Sequence, residues 1–482
     1  MRTKMTGFLA FSVVFAAQAQ VFDTPPPPAA PRPLSIAAPS VQTLPNGLRV
    51  VVAERRGVPL VSAQLVVLAG SETDPPLQAG LASLTAGLLT KGSQRRSASA
   101  LAQAAEALGG SLDSAAGWNQ SAVSITVTTP SLSHALALVA EVVRTPTFAL
   151  AEFDRLRTQK LDELKVSHAS PAVLATMTAE RLLFGTGAYG HPAAGTPRSL
   201  LRIQRADVVT QQRANFRPER SALVLAGDIG PAEALRLAQQ HFGGWRGARV
   251  GDAATAPAKA AALPQALAVI DMNESGQAAV VLALSVPPRG APDQAAGEVT
   301  NAVLGGDYSS RLNQEIRIKR GLSYGARSQL DQRREAGLLR ASVQTKNESA
   351  AEVVSLLQAQ LDDLIATPVA DAELAARKAA LIGNFSRSVE TTAGLSAVVA
   401  TLVVAGLPPA ELPARIASLQ AVNAAEVQRY AAAHFGAAQR RIAVAGEARQ
   451  FEAALRALVP GLVVVKQEAL DLEQAEGVSL PN

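Results

Sequence analysis

The sequence has no cysteine, only five histidines, and aromatic residues make up just 4% of its 482 positions. Without cysteine the chain can form no disulfide bond and carries no lipid-modified cysteine anchor. The shortage of aromatic residues favours aliphatic cores packed by helices. Hydrophobic residues make up 48% of the sequence, which is ample for buried cores, and the length suits more than one domain.

The charge balance does not indicate a nucleic-acid partner. The formal net charge is +5, and two of the positive charges, Arg2 and Lys4, lie in a segment that we expect to be removed. The remaining charge of about +3 is weak, and no basic cluster alternates with aromatic residues.

The N-terminus predicts a secretory signal peptide at residues 1–19. Arg2 and Lys4 form a charged region, Phe8 to Phe15 a short apolar core, and Ala17-Gln18-Ala19 a small-residue cleavage site. A buried N-terminal helix or strand is the alternative. The apolar run is too short to span a bilayer, and no other stretch looks transmembrane. A cysteine-free exported protein suits the periplasm of a Gram-negative bacterium, or secretion from it.

Changes in composition divide the rest of the chain. A proline-rich leader at 20–40 cannot build a core. An alanine-rich stretch with two prolines at 247–264 is typical of an interdomain linker. We therefore expect domains at 41–246 and 265–466, followed by a tail at 467–482.

The two halves repeat one pattern. Each ends with a helical stretch, an apolar strand closing in Ala-Gly-acid (221–228 and 441–447), and another helical stretch. Each opens with a β-rich run, followed by a helical segment that ends at Gly92 or Gly305. Such repetition indicates two copies of one fold.

Within each half, strands come first, then helices, then a last strand, which favours an α+β fold. The predicted strands are Leu48–Ala53, Leu60–Ala69, Ala122–Thr128, Ala222–Ala226, Leu267–Asp271, Ala278–Val286, Ser323–Gln329, Leu338–Gln344 and Arg441–Ala445. Long helices are predicted at Leu150–Ser167 and Ala370–Arg387.

Three segments resemble the pitrilysin/insulinase-type (inverzincin) zinc metallopeptidases. They are the run Leu44 to Val51, the segment Gly80 to Ser93, and the loop Tyr189 to Thr196, and the resemblance extends over 41–465. It implies two homologous α/β sandwich domains, each a mainly antiparallel sheet packed with helices, facing each other like a clamshell. We expect the two sheets to border a shared cavity.

Active members of that family carry H-x-x-E-H on the helix that Gly80 to Ser93 resembles. Two histidines four residues apart bind zinc, the glutamate polarises a metal-bound water, and a later glutamate is the third ligand. The alignment places Ser83 and Gly87 at the histidine positions and Ala86 at the base position, so all three groups are missing. Glu163 falls near the third-ligand position, where it can equally be a solvated helical carboxylate.

A zinc site rebuilt from other residues has little support. No two of the five histidines are four residues apart. His168 with Asp162 and Glu163 is one conceivable cluster, while His191 and His241 are isolated in the sequence. We therefore expect no metal and no other cofactor in this chain.

The second half keeps the family's other signature. This signature is resembled by the stretch from Gly305 to Leu312 and the following Glu315 to Tyr324. In the family, an arginine and a tyrosine of this segment bind the substrate backbone and stabilise the tetrahedral intermediate. Arg317 and Tyr324 match these two residues. A guanidinium offers a fork of donors, and a phenol can donate to an oxyanion. Alternatively, Arg317 stabilises the end of its helix and Tyr324 fills a cross-strand position.

The resemblance implies a non-catalytic subunit that binds peptide substrates and supplies Arg317 and Tyr324 to a homologous H-x-x-E-H partner, which holds the zinc. The alternative is a non-enzymatic peptide-binding or scaffold protein of the bacterial envelope. An enzyme of another kind is disfavoured, because the sequence has no G-x-S-x-G, no catalytic cysteine and no phosphate loop. A neighbouring gene for an H-x-x-E-H chain would favour the subunit.

Overall fold

The computed structural model describes residues 34–247, 262–459 and 461–473. The predicted signal peptide, most of the leader and nearly all of the predicted linker lie outside the described residues, as does the last part of the tail. From Ile36 onward the chain forms one compact unit that contains both halves.

The first half forms a six-stranded sheet in the order β1-β2-β6-β3-β5-β4. Its strands are β1 (Ser40–Thr43), β2 (Arg49–Glu54), β3 (Leu60–Val67), β4 (Asp113–Ala116), β5 (Ser121–Thr128) and β6 (Ser221–Gly227). Only β2 and β6 pair in parallel; the other four pairings are antiparallel. Every residue of β6 is buried, as expected for a central strand that is covered on both faces.

The second half repeats this sheet in the order β12-β7-β11-β8-β10-β9. Its strands are β7 (Leu267–Asp271), β8 (Ala278–Val286), β9 (Ala326–Gln332), β10 (Gly337–Thr345), β11 (Arg441–Gly446) and β12 (Val463–Lys466). Five strands correspond in order between the two sheets: β2-β6-β3-β5-β4 in the first and β7-β11-β8-β10-β9 in the second. The sixth differs, because β12 comes from the end of the half and pairs in parallel with β7, whereas β1 comes from the beginning and is antiparallel to β2.

Helices occupy the connections between strands in the same order in both halves. The first half has α1 (Leu81–Leu89), α2 (Ala98–Glu106), α3 (Leu132–Arg144), α4 (Leu150–His168), α5 (Pro171–Phe184), α6 (Pro197–Arg202), α7 (Arg205–Asn215) and α8 (Pro231–Phe242). The second half has α9 (Gln294–Leu304), α10 (Ala350–Ala366), α11 (Asp371–Ser388), α12 (Thr392–Ala405), α13 (Glu411–Ala421), α14 (Ala424–His434), α15 (Glu452–Leu458) and a π-helical segment (Asn313–Lys319). The two-domain α+β architecture is confirmed.

Each sheet has one face covered by helices of its own half and the other by a helix of the opposite half. Alternate residues of β2 divide between two cores: Val50 and Val52 join the core of the first half, while Val51 and Ala53 pack with α12. In the second sheet, β7, β8 and β11 contact α5 in the same way. Each sheet therefore has its second face covered by a helix from the opposite half.

The predicted tail begins with an ordered segment that returns to the first domain. Leu472 is buried against Leu182 of α5 and Ala268 of β7. The backbone oxygen of Glu473 accepts a hydrogen bond from Arg181 at 3.1 Å, and the Glu473 carboxylate pairs with Arg202 at 3.3 Å. This segment ties the end of the second half to the first.

Among the described residues no single helix is long and apolar enough to cross a membrane. The pair α11 and α12 passes such a test together by length and composition, but the two helices meet at a bend of 110°. Val399 and Val403 of α12 are buried against the first sheet.

Candidate functional site

Helix α1 carries the three positions where active relatives have their zinc motif. Leu84 and Leu88 on one side belong to the core of the first half, and Ala86 is fully buried. Ser83 and Gly87, four residues apart, lie on a less buried face that contacts α4.

A carboxyl group preceding α1 fixes its first turn. Asp74 accepts hydrogen bonds from the backbone N–H groups of Gly80 and Ala82, each at 2.8 Å. Burial raises the pKa of Asp74 to about 8, while the two backbone donors act in the opposite direction.

Helix α4 places an ammonium group beside Ser83, one of the two positions where active members have a zinc-binding histidine. Lys160 Nζ donates a hydrogen bond to Ser83 Oγ at 3.1 Å. Leu156, one turn earlier, fills the space beside Gly87: a Cβ at Gly87 would lie 3.1 Å from its Cδ2. Glu163 is exposed and accepts a hydrogen bond from Gln159 at 2.9 Å. A cation, an aliphatic side chain and a solvated carboxylate do not fit a zinc site.

The described residues contain no group of three or more His, Cys, Asp or Glu side chains that could hold a metal ion. The conceivable cluster of His168 with Asp162 and Glu163 is therefore not assembled. Burial lowers the pKa of His168 and of His191, so both imidazoles are held toward the neutral form.

The second candidate site lies in the other domain. Arg317 belongs to the π-helical segment, in which Leu312 and Ile316 are buried in the core of the second half. A π-helical turn is often found at a functional site. Tyr324 lies before β9 and is 91% exposed, so it does not fill a cross-strand position.

The guanidinium of Arg317 rests on an aromatic ring instead of pairing with an acid. Its central carbon lies 4.8 Å from the centroid of the Tyr308 ring. No hydrogen bond or ion pair to the Arg317 side chain exists within the described part of the chain, whereas Arg311 and Arg320 nearby are both paired with carboxylates. Arg317 thus keeps its donors available.

The α1 face and the Arg317–Tyr324 segment are built into different cores. No hydrogen bond or ion pair joins them in the ranges that the structure describes. That both line one internal cavity of a complex stays a prediction.

The two domains also make an extensive contact that no sequence pattern predicted. The turn between β9 and β10 presents Arg333 and Arg334, which we call the hairpin clamp, to the first domain. The side chain of Arg333 is only 2% exposed, and its guanidinium lies 4.2 Å from the ring centroid of Trp118, 5.0 Å from that of Tyr189 and 5.2 Å from that of Phe184.

Charged and polar contacts complete the hairpin clamp. Arg333 pairs with Glu180 of α5 at 3.3 Å, and Arg334 pairs with the buried carboxylate of Glu72 at 3.2 Å. The backbone N–H of Arg334 donates to Asn119 at 2.9 Å. Because β9 leads directly from Tyr324 to this turn, the clamp ties the Arg317–Tyr324 region to the first domain.

Comparison with known proteins identifies the family. Residues 49–195 match the model described as Insulinase (Peptidase family M16), and residues 202–381 match the model described as Peptidase M16 inactive domain. The chain therefore belongs to the peptidase M16 family, and the resemblance inferred from the sequence is confirmed. At the positions of H-x-x-E-H the chain has Ser83, Ala86 and Gly87 instead.

Individual relatives agree with this family assignment. An uncharacterized zinc protease of Mycobacterium bovis is 29% identical over 360 residues, which is 74% of this chain and 82% of that protein. A Helicobacter pylori protein named as a non-peptidase homolog is 23% identical over 393 residues, or 80% of this chain and 88% of that one. The crystal structure of a peptidase M16 inactive domain from Pseudomonas fluorescens is 26% identical, with a TM-score of 0.79 over 85% of this chain and 98% of that one.

Proposed function

We propose that this chain is the non-catalytic subunit of a periplasmic or secreted zinc metallopeptidase. In this proposal it binds peptide substrate and supplies Arg317 and Tyr324 to a homologous partner that carries H-x-x-E-H. The partner holds the zinc and the general base, and this chain holds neither.

The observation that carries the proposal is the contrast between the two candidate sites. At the first, Lys160 and Leu156 occupy the surroundings of Ser83 and Gly87. At the second, Tyr324 is exposed and the guanidinium of Arg317 has no acidic partner within the described residues.

This second arrangement suits binding of a peptide backbone. A guanidinium without a carboxylate partner can donate hydrogen bonds to a peptide carbonyl oxygen, and an exposed phenol can donate to a developing oxyanion. Tyrosine and arginine are also among the residue types that dominate binding at interfaces.

The test is peptidase turnover in a complex reconstituted from this chain and an H-x-x-E-H relative from the same organism. Arg317→Ala and Tyr324→Phe should each lower kcat by about 10²–10³, the usual effect of removing an oxyanion donor. Gel filtration should show unchanged assembly. Arg317→Lys should restore activity only in part, because an ammonium lacks the planar fork.

Arg429→Ala is the matched control, because Arg429 is an arginine on the exposed surface of α14 with a side chain 75% exposed. Its complex should turn over like the wild type. If Arg317→Ala and Tyr324→Phe both leave turnover unchanged in an intact complex, the proposal fails and the chain is a peptide-binding or scaffold protein of the envelope.

A further inference from the structure

The loop from Asp307 to Ser310 joins α9 to the π-helical segment, and buried groups hold its backbone in place. Arg377 of α11 binds both carboxylate oxygens of Asp307 at 2.8 Å and the backbone oxygen of Ser309 at 2.5 Å. The side chain of Arg377 is only 8% exposed. Nη1 of this largely buried guanidinium bonds Asp307 and Nη2 bonds Ser309, so charge-assisted hydrogen bonds hold the loop at two points.

Tyr308 lies in the middle of this loop. Its backbone oxygen accepts a hydrogen bond from Asn313 at 2.6 Å, while its side chain is 62% exposed. No core contact therefore explains an aromatic residue here. The ring does lie against Arg317, at 4.8 Å from the guanidinium carbon to the ring centroid.

A ring and a carboxylate would hold Arg317 with different consequences. A carboxylate would occupy the guanidinium's donors, as Glu373 does for Arg311 and Glu315 for Arg320. A ring contacts the face of the guanidinium and leaves the N–H groups in its plane free for another acceptor.

We propose that Tyr308 is a positioning residue for Arg317: the anchored loop presents its ring as a platform that orders the guanidinium without occupying its donors. This inference deepens the proposed function, because the acceptor of those donors would be a peptide carbonyl. The ordering itself is a property of this chain alone and does not depend on the partner.

The first test measures that ordering directly. Relaxation of the Arg Nε–Hε groups by NMR in the intact chain should show Arg317 ordered in the wild type and in Tyr308→Phe, which keeps the ring. In Tyr308→Leu the Arg317 group should become mobile. Arg320, in the same segment but paired with Glu315, is the internal control and should be unaffected. Equal order of Arg317 in wild type and Tyr308→Leu would overturn the proposal.

The second test follows binding of a fluorescein-labelled unstructured peptide, blocked at both ends, by anisotropy. Tyr308→Leu should weaken binding about two- to fivefold, the equivalent of one exposed cation–π contact. Combined with Arg317→Ala, it should cause no further loss, because a positioning residue acts only through the residue that it positions. Additive losses would show that Tyr308 binds the peptide itself and would overturn the inference.

The binding results for the Arg317→Ala and Tyr308→Leu variants separate this inference from the proposed function. If Arg317→Ala weakens binding while Tyr308→Leu does not, only the role of Tyr308 is wrong. If Arg317→Ala has no effect on binding, peptide binding by the Arg317–Tyr324 segment is wrong, and the relaxation of Arg317 alone then decides whether Tyr308 orders it.

Discussion

Lys160 and Leu156 show how single side chains replace a metal site. Ser83 and Gly87 lack ligand atoms of their own, and across from them the groove between α1 and α4 contains a fixed positive charge and an aliphatic side chain. A cation beside the former metal position repels a second cation, and a branched side chain leaves no room for an imidazole at Gly87.

Restoring the three motif residues should therefore not restore zinc binding. The variant Ser83→His, Ala86→Glu, Gly87→His is expected to hold far less than one zinc per chain by elemental analysis after dialysis. Adding Lys160→Glu and Leu156→Ala should raise the zinc content, because repulsion between close charges near a protein surface is worth roughly several kcal/mol. Lys165→Glu, on the exposed side of α4, is the matched control. Tight zinc binding by the variant that has only the three motif substitutions would show that Lys160 and Leu156 do not prevent zinc binding.

The buried carboxyl group of Asp74 leads to a prediction of how the protein's stability depends on pH. Its pKa of about 8 in the folded protein lies above the ordinary 3.8, so between these values the folded chain holds a proton that the unfolded chain has released. The stability from protonated Asp74 is complete below pH 3.8 and is lost as the pH rises toward 8. Urea unfolding should show the wild type losing stability relative to Asp74→Asn over that range. A constant difference between the two proteins at all pH values would show that Asp74 is ionised in the fold.

At the scale of elements, the central strands were predictable, whereas three of the four edge strands, β1, β4 and β12, were not. Long apolar runs such as Ala278–Val286 became strands with the predicted bounds. β1 and β4 have four residues each and no apolar alternation, because an edge strand has only one neighbour to pack and pair with. β9 begins at Ala326 and not at Ser323, which leaves Tyr324 free of the sheet.

Candidate site residues that lie within one continuous segment of the sequence were also predictable. The residues that contact them from other elements were not. Ser83 and Arg317 were found because each lies in a continuous segment that resembles the family's pattern. Tyr308 and Lys160 acquire a role only from contacts across elements, and the hairpin clamp joins residues more than two hundred positions apart. Local periodicity carries no information about such contacts.

The exchange of α5 and α12 predicts that neither half folds alone. A chain ending at residue 246 lacks α12 and would expose Val51, Val66 and Val224, which α12 covers in the intact protein. Expressed alone, this half should bind the dye ANS strongly and aggregate. Co-expression with residues 262–482 should restore a soluble complex by gel filtration. A soluble, dye-free first half on its own would contradict this.

The hairpin clamp should contribute measurably to the stability of the whole molecule. Arg333→Leu removes a cation from among three aromatic rings and leaves Glu180 with one fewer partner. We expect it to lower the free energy of unfolding by about 2 kcal/mol, the value of a desolvated cation–π contact, because Glu180 keeps its ion pair with Arg340. Arg429→Leu on the surface should change it by less than about 0.5 kcal/mol. Equal unfolding midpoints in urea for both variants would show that the clamp adds nothing.

The position of α12 along the chain also sets the order in which the protein can be completed during synthesis. Domains of a nascent chain commonly fold one after another from the N-terminus. Here the first sheet has all its strands once Gly227 has been made, yet its second face stays uncovered until the chain has been made as far as Ala405. The first domain therefore cannot be completed before most of the second has been made, and the newly made polypeptide stays incompletely folded until then.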